Sequence, residues 1–505
     1  MNDSLQQTLA SFREYVKKMK SFEEAVSLMY WDLRTGAPKK SVKGRSEVIG
    51  VLSGEMFRMS VSDTMGEYLD ILSQPETFDK LNPIDRKIVE ECRKEYERSK
   101  KIPPDKYQAY VVLTSEAESV WEEAKETSDF KKFQPYLEKI VETNLEFIDL
   151  WGYEGEKYNT LLDLYEPGMT VSQLDRVFGA LREKLVPLVA AAAQSPHQPD
   201  TSFLHQHFPK EQQKQFNLYI LGQMGYDFEA GRLDETVHPF ATGLNLGDVR
   251  ITTRYLPDDV GSALFGTIHE GGHALYEQNI SPELAGTPLC TGTSMGIHES
   301  QSRFWENIIG RSRPFWNRYY SELQKTFPGK FDNVTAEAFY RAINKVQPSL
   351  IRIEADELTY NLHIMIRYEI EKGLFEGSMR VADLPEIWRE KYKEYLGVTP
   401  EQDSEGVLQD VHWSGGAFGY FPSYALGNMY AAQIANTMRQ QMPDFDQLIE
   451  AGNLQPIKTW LTEKIYRYGK LLTPAEIIRE VTGEALNPAY LVDYLQQKYS
   501  DIYRL

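Results

Sequence analysis

The sequence is poor in cysteine, with two such residues among 505. Cys92 and Cys290 lie far apart in the chain, so we expect neither a disulfide framework nor a cysteine-based metal cluster. Long apolar runs are also missing, since no stretch approaches the roughly 20 residues that a membrane helix needs. The N-terminal segment is too charged for a secretory signal peptide. These absences predict a cytoplasmic protein with no membrane partner.

Basic residues are in deficit. Lysine and arginine number 55 against 74 aspartates and glutamates, which gives a formal net charge of −19. Binding to the phosphates of nucleic acids requires a basic face, so this composition argues against a nucleic-acid partner. The hydrophobic fraction of 41% is ordinary for a soluble globular protein and allows a large core.

Helical patterns dominate the chain, and strand patterns are confined to one segment. The segment 237–257 contains β-branched and aromatic residues punctuated by Gly and Pro, which predicts a hairpin or a small antiparallel sheet. We therefore expect a mainly α fold with one small sheet. The segments with apolar residues at helical spacing are 11–32, 83–101, 133–151, 171–193, 211–224, 354–371 and 424–442.

The sequence HEGGH carries the strongest chemical signal. His269 and His273 are four residues apart, so a helix places both imidazoles on one face. Glu270 lies between them, which completes the H-E-x-x-H pattern. In that pattern two imidazoles bind zinc and the glutamate acts as a general base.

The two glycines between these histidines weaken the helix, because each costs about 1 kcal/mol relative to alanine. We expect Gly271 and Gly272 to let a second helix and a substrate backbone approach the metal. The alternative is that they serve tight helix packing alone.

A catalytic zinc site needs a third protein ligand and an open position. Position 279, where some zinc peptidases have a third histidine, is Asn279 in this chain. Glu277 lies about 12 Å along the helix axis from His269, from a rise of about 1.5 Å per residue, and so cannot easily share the metal. Glu283, in the following loop, stays open as an alternative.

Glu299, in MGIHESQSRFWENIIG, is the better candidate for the third ligand. The segment 281–294 is rich in Pro, Gly, Ser and Thr, so it can turn the chain and let a second helix run back beside the first. His298 is adjacent but projects about 100° away. We expect His298 to support the site rather than to bind the metal.

A series of motifs now identifies the sequence as similar to a known family. It resembles the carboxypeptidase Taq family of zinc metallocarboxypeptidases, peptidase family M32, over nearly the whole chain. The motifs are YWDLRTGAP at 30–38, LLDLYEPGMT at 161–170, HPF at 238–240, DVRIT at 248–252, HEGGH at 269–273, HESQ at 298–301, IRIEAD at 351–356 and GVLQDVHW at 406–413.

The resemblance implies a helical fold like that of neurolysin and angiotensin-converting enzyme, with a deep groove. It also implies one zinc ion per subunit, a homodimer, and broad release of single residues from peptide C-termini, with poor tolerance of proline. The chain would form one catalytic unit over 1–505. That unit has a helical part over 1–230, the sheet within 231–260, and the zinc-site helices over 261–505. Imidazole and carboxylate ligands would also accept Co²⁺ or Mn²⁺.

The resemblance further assigns roles around the metal. The ligands would be His269, His273 and Glu299, with Glu270 as the base. His412, on the loop QDVHWSGGAFGYFPSY, would stabilise the oxyanion, as would Tyr420 and Tyr424 on the same loop.

Substrate-binding roles fall on the remaining motif residues. Arg352 is the favoured anchor for the substrate carboxylate, because a guanidinium pairs bidentately with a carboxylate. Its alternative role is a salt bridge to Glu354 or Asp356. Further candidates for substrate contacts are Arg250, Arg254, His238, Gln409 and Asp410. We also expect the strand DVRITTRY to hold an extended peptide along its edge.

Two other functions remain open at this point. The first is an oligoendopeptidase with the same zinc site. The second is a non-catalytic helical binding protein that keeps zinc for structure. A structural site normally has four protein ligands, and no fourth is evident in the sequence, which favours the catalytic alternatives.

Overall fold

The computed structural model describes residues 3–505 and confirms the mainly α fold. Within that range it has 21 α-helices, a π-helix at Phe304–Gly310 and several short 3₁₀ turns. The helices are α1 Asp3–Thr35, α2 Val42–Ser60, α3 Asp63–Leu72, α4 Pro75–Phe78, α5 Pro83–Lys101, α6 Pro104–Thr127, α7 Phe130–Trp151, α8 Lys157–Tyr165, α9 Val171–Gln194, α10 Lys210–Met224, α11 Val260–Gln278, α12 Met295–Arg303, α13 Arg313–Thr326, α14 Ala336–Ile343, α15 Glu357–Glu376, α16 Leu384–Leu396, α17 Pro422–Gln441, α18 Phe445–Glu450, α19 Gln455–Lys464, α20 Pro474–Thr482 and α21 Ala489–Tyr503.

Local signals explain where many helices begin and end. Helix α5 starts at Pro83, where a missing N–H costs nothing, and the Asn82 side chain caps it by accepting from the Asp85 N–H. Helix α7 ends before Gly152, which has a φ of 80°. Helix α15 starts at Glu357, three residues later than predicted, because the Asp356 side chain caps it there.

The small sheet is present, but it is mixed rather than purely antiparallel. Its strands are β1 Leu233–Glu235, β2 Ala241–Asn245 and β3 Asp248–Thr253, in the order β1-β3-β2. Strand β2 pairs antiparallel with β3, as a hairpin requires, whereas β1 pairs parallel with β3. The motif DVRIT therefore lies on the central strand. The expectation that DVRITTRY offers a free edge is wrong, and β2 is the edge strand beside α11.

The core is continuous through the C-terminal part of the chain. Helices α15 and α17 are buried along most of their length, and α11 packs between β3, α10 and α12. Among residues 3–505, no helix is long and apolar enough to cross a membrane. Helices α11 and α12 both line a cleft, α11 with His269, Glu270, His273 and Glu277 and α12 with Met295, His298 and Glu299.

Candidate active site

Helices α11 and α12 run antiparallel in close contact, and the glycines of HEGGH make this contact possible. A Cβ on Gly272 would lie 2.6 Å from the backbone oxygen of Gln301 on α12. A Cβ on Gly271 would lie 2.8 Å from the side chain of Leu221 on α10. Both glycines are buried and neither lines the cleft. Helix packing thus accounts for both, and the expected path for a substrate backbone finds no support here.

Three side chains on these two helices converge on one point. The Nε2 atoms of His269 and His273 each lie 3.6 Å from Oε2 of Glu299. The three ligand atoms all lie within 4.8 Å of one another. Ligands about 2.0–2.2 Å from a tetrahedral zinc ion stand roughly 3.3–3.6 Å apart, so the set fits such an ion. Glu283, the alternative ligand, is exposed on a 3₁₀ turn and lies outside this group.

The other nitrogen of each imidazole is already engaged, which leaves Nε2 for a metal. Nδ1 of His269 lies 3.0 Å from Oε2 of Glu306. Nδ1 of His273 lies 2.6 Å from Nδ1 of His298, whose Nε2 lies 2.8 Å from Oε1 of Glu277. Such partners fix the tautomer and orientation of metal-binding histidines. His298 therefore contacts a ligand without joining the ligand group, as predicted.

The charged groups at the site shift the pKa values of the ligands strongly. Burial would raise the pKa of Glu299, but Arg303, 2.7 Å from its Oε1, and the two imidazoles hold that pKa well below the usual value. Burial lowers the pKa of His273 to about 3. Burial acts in the same direction on His269, yet the carboxylates of Glu299 and Glu306 outweigh it and raise the pKa. The ligand set is therefore an anionic carboxylate with two imidazoles, of which that of His273 is neutral.

Glu270 lines the same cleft as the ligands but is not one of them. Its side chain lines the cleft, and burial raises the pKa of its carboxyl to about 7. A carboxyl group beside a metal site with a pKa near neutrality suits proton transfer.

The cleft in front of these residues has a volume of about 550 Å³. Its walls come from α1, β2, the loop before α12 and the start of α17. Residues 239–246 are part of the lining, so the edge strand β2 borders the same cleft as the metal ligands. Lys20, Glu23 and Glu24 of α1 also line it.

The loop before α17 and the first turn of α17 contribute one tyrosine each to the cleft, and the loop also carries His412. Tyr420 and Tyr424 line the cleft. His412 does not line it, and its Nε2 lies 3.2 Å from the Tyr424 hydroxyl. Burial lowers the pKa of His412 to about 4, and its Nδ1 is buried without a hydrogen-bond partner. The neutral imidazole thus supports Tyr424 from behind.

Arg352 is buried beneath Tyr424 and is held by an ion pair. Its guanidinium lies 2.8 Å from Asp410 and donates to the Tyr360 hydroxyl at 3.0 Å. Its partner is therefore neither Glu354 nor Asp356. Asp410 also pairs with the buried Arg367 at 2.6 Å. The other motif residue, Gln409, accepts the backbone N–H of Arg352. Gln409 and Asp410 thus fix Arg352 in place.

The remaining candidates lie away from the metal. Arg250 pairs with Asp248 through two 2.7 Å hydrogen bonds, and its guanidinium lies 5.5 Å from the Trp31 ring in a separate cavity. His238 and Arg254 are exposed and do not line the cleft.

Sequence reasoning missed the buried residues that support the loop that carries His412 and Tyr420. The buried carboxylate of Glu371 accepts hydrogen bonds from Tyr158, from Trp413 Nε1 at 2.7 Å and from the Gly419 N–H at 2.8 Å. A Cβ on Gly419 would lie 2.6 Å from the backbone oxygen of Leu161. The motif LLDLYEPGMT, to which no role was given, therefore includes the part of α8 on which the loop rests.

The same motif also fixes the start of α12. The buried Glu166 accepts the Gly296 N–H at 3.0 Å and the Tyr430 hydroxyl at 2.8 Å. The hydrogen-bond partners of Glu166 are more than a hundred residues away in sequence, so only its place in the motif LLDLYEPGMT could have indicated a role.

A helical fold with H-E-x-x-H on one helix and a glutamate ligand on the next defines a metallopeptidase of the glutamate-ligand type. The model of the carboxypeptidase Taq (M32) metallopeptidases matches residues 11–499. Carboxypeptidase 1 of Bacillus subtilis (strain 168) is 55% identical over 494 residues, which is 98% of each chain. Thermostable carboxypeptidase 1 of Thermus thermophilus is 42% identical over 94% of this chain and 95% of its own.

The solved structures agree with these sequence matches. The crystal structure of the M32 carboxypeptidase from Deinococcus radiodurans R1 matches with a TM-score of 0.96 at 36% identity over 100% of both chains. The chain therefore belongs to the carboxypeptidase Taq (M32) family of metallopeptidases. The predicted enzyme class, a metallocarboxypeptidase that hydrolyses peptides, is confirmed.

Proposed function

We propose that this enzyme is a zinc carboxypeptidase that releases single amino acids in sequence from peptide C-termini. It has broad specificity and acts poorly on C-terminal proline. The observation that carries the proposal is the ligand set itself. Two imidazoles with free Nε2 atoms and one anionic carboxylate face an open cleft, and the described residues add no fourth ligand to that group. Three ligands with an open position are typical of catalytic zinc.

The metal and the assembly are part of this proposal. Nitrogen and carboxylate ligands suit zinc and also accept Co²⁺ or Mn²⁺. We place the enzyme in the cytoplasm as a homodimer. Residues 1–505 would act as one catalytic unit, which is supported by contacts between the N-terminal helical part and the part that carries the metal ligands. Trp121 donates to the backbone oxygen of Leu408 at 3.0 Å, and Lys125 donates to that of Gln409 at 2.9 Å.

In the proposed mechanism, Glu270 carries the proton. When bound, the metal supplies a Lewis acid that polarises the scissile carbonyl and acidifies a water molecule. The Glu270 carboxylate takes the proton of the attacking water and then delivers a proton to the leaving amine. Its buried position beside the ligands keeps this proton exchange close to neutral pH.

The cleft-lining tyrosines stabilise the negative charge that develops on the carbonyl oxygen. Tyr420 and Tyr424 present hydroxyl donors at the cleft wall, and fixed donors of this kind lower the barrier without reorganisation. His412 holds the Tyr424 hydroxyl in place from behind.

The peptide lies extended along β2, an edge strand that lines the same cleft as the ligands. Arg352 anchors its C-terminal carboxylate. Its guanidinium lies 5.0 Å from the ring of Tyr424, which lines the cleft, whereas the guanidinium of Arg250 is paired with Asp248. Because Arg352 is buried, the substrate carboxylate displaces Tyr360, its neutral partner, as the cleft closes over the peptide.

The deciding experiment combines metal content with product analysis. We expect one zinc per subunit and release of free amino acids, in order, from an N-terminally blocked peptide. Cleavage of the same peptide with a C-terminal amide would instead support an oligoendopeptidase. Bound zinc without any peptide cleavage would support a structural zinc protein. Sedimentation equilibrium tests the homodimer separately.

A further inference from the structure

We propose that Glu277 is a positioning residue that acts through His298 to orient His273 for metal binding. The proposal rests on the zinc site described above and extends it to a residue that belongs to none of the motifs. Glu277 lies one turn beyond His273 on α11 and cannot reach the ligand group itself. Within residues 3–505, the His298 ring contacts both Glu277 and the ligand His273.

The hydrogen bonds that link His273, His298 and Glu277 have one consistent direction. A metal on Nε2 of His273 requires the proton on Nδ1, so His273 donates to Nδ1 of His298 across 2.6 Å. His298 must then carry its own proton on Nε2, which donates to Oε1 of Glu277 across 2.8 Å. A carboxylate only accepts, so Glu277 selects the one tautomer of His298 that can accept from His273.

The surroundings of His298 are shaped to hold this arrangement. A Cβ on Gly292 would lie 2.5 Å from the His298 ring, so only glycine leaves room for it. The same glycine donates its N–H to Oε1 of Glu277 at 3.0 Å. Thr291 donates to that oxygen at 3.3 Å. Glu277 is thus fixed independently of the histidine it orients.

The two metal-binding histidines therefore differ in their support. His269 donates directly to the carboxylate of Glu306, which Arg303 and Arg311 also contact. His273 reaches its carboxylate through a second, uncharged imidazole. Because the two paths are separate, breaking the path to Glu277 should weaken one ligand and leave the other intact.

The test measures zinc affinity by competition with a chelator, so its readout does not depend on peptidase activity. We expect Glu277→Ala and His298→Phe each to weaken zinc binding about 10–100-fold, the range for lost partners of metal ligands. Glu277→Gln keeps an acceptor oxygen and should lose less than about tenfold. Thr291→Val removes one of the hydrogen bonds that fix Glu277 but leaves the bond from His298 to Glu277 in place, so it should lose much less zinc affinity than Glu277→Ala.

The double variant separates a shared path from two independent effects. If Glu277 acts through His298, Glu277→Ala with His298→Phe binds zinc no more weakly than His298→Phe alone. Additive losses, or parental affinity in Glu277→Ala, would overturn the proposal. Should His298→Phe fail to fold, Glu277→Ala against Glu277→Gln decides the question. A parent protein that binds no zinc would instead refute the proposed metal.

An equal fall in the melting temperature of metal-free Glu277→Ala and Thr291→Val would show that Glu277 serves only the loop around Thr291. Positioning of the ligand predicts little change in the metal-free protein and a loss confined to the zinc-bound form.

Discussion

Gly427 on α17 lies directly against Glu299 on α12, so closely that a Cβ on Gly427 would stand 2.5 Å from Cγ of Glu299. The glycine therefore lets the backbone of a third helix, α17, pack directly against the metal ligand. A methyl group at this position must push Glu299 or its helix toward the cleft. The place of the carboxylate thus depends on α17 as much as on the turn that precedes α12.

This contact predicts that Gly427→Ala weakens zinc binding, although alanine is the better helix former. We expect the loss to be about 10-fold or more in chelator competition, because Glu299 can no longer meet both Nε2 atoms. Gly179→Ala, on α9 with open space around the added methyl, is the matched control and should bind zinc normally. Parental zinc affinity in Gly427→Ala would show that α12 moves to absorb the methyl group.

Removing the carboxylate itself tests the third ligand. We expect Glu299→Ala to lose more than roughly 100-fold in zinc affinity, beyond the range for supporting residues. The neighbouring Glu283→Ala, exposed on its 3₁₀ turn, should keep full zinc content. The opposite result for the pair, with Glu283→Ala losing the metal, would place the ligand in the loop.

Glu270→Gln tests the proposed base. The variant should keep near-stoichiometric zinc, since Glu270 is outside the ligand group, and lose about 10²–10⁴ in kcat, the usual contribution of a general acid–base residue. Metal analysis and turnover on a blocked peptide measure both effects. Turnover like that of the parent would contradict the assignment.

Contacts between residues close in sequence could be predicted at this site, and contacts between residues far apart in sequence could not. The helical face shared by His269 and His273 follows from spacing alone, and the turn-rich segment before α12 pointed to Glu299. The ion pair of Arg352 with Asp410 could not be found this way. Fifty-eight residues separate the two, and the nearer carboxylates of Glu354 and Asp356 were equally plausible partners.

The sheet shows the same limit. The pattern in 237–257 predicted β2 and β3, because a hairpin is local. It could not predict that β1, only three residues long, pairs parallel with β3 and makes that strand central. The tertiary pairing, not the alternation, determined which strand faces the cleft.

Glu371 predicts a pH dependence of stability. Burial raises the pKa of its carboxyl from 4.5 to about 7, so in the folded protein it holds its proton to higher pH than in the unfolded chain. A raised folded pKa contributes stability that is complete below about pH 4.5 and is lost as pH rises through 7. The shift corresponds to a loss on the order of 3 kcal/mol over that window.

The comparison with Glu371→Gln isolates this effect, because glutamine does not titrate. The difference in unfolding free energy, parent minus variant, should fall between about pH 4.5 and 7 and stay level above it. Other buried carboxyls such as Glu166 titrate in both proteins and cancel. Glu463→Gln, at an exposed position, should follow the parent throughout. A difference that is constant with pH would mean that Glu371 is ionised across the window.

Arg352→Ala tests how the enzyme recognises a free C-terminus. An exopeptidase must bind the terminal carboxylate at a fixed distance from the metal, and losing a charge-assisted contact costs about 1.5–3 kcal/mol. We expect kcat/KM for free-acid peptides to fall at least about tenfold, and the preference over matched amides to disappear.

Asp410 complicates the choice of control, because it holds both Arg352 and Arg367. Arg352→Lys keeps a positive charge near Asp410 but cannot bind a carboxylate bidentately. It therefore separates recognition of the substrate carboxylate from support of the ion pair with Asp410. If Arg352 only supports the fold, Arg352→Lys should restore both stability and the free-acid preference. If it anchors the substrate, Arg352→Lys should restore stability alone.

An Arg352→Ala enzyme that still prefers the free acid by the parental ratio would show that another residue binds the carboxylate. Arg250 would be tested next, although its bonds to Asp248 and its place in a separate cavity make it the weaker candidate.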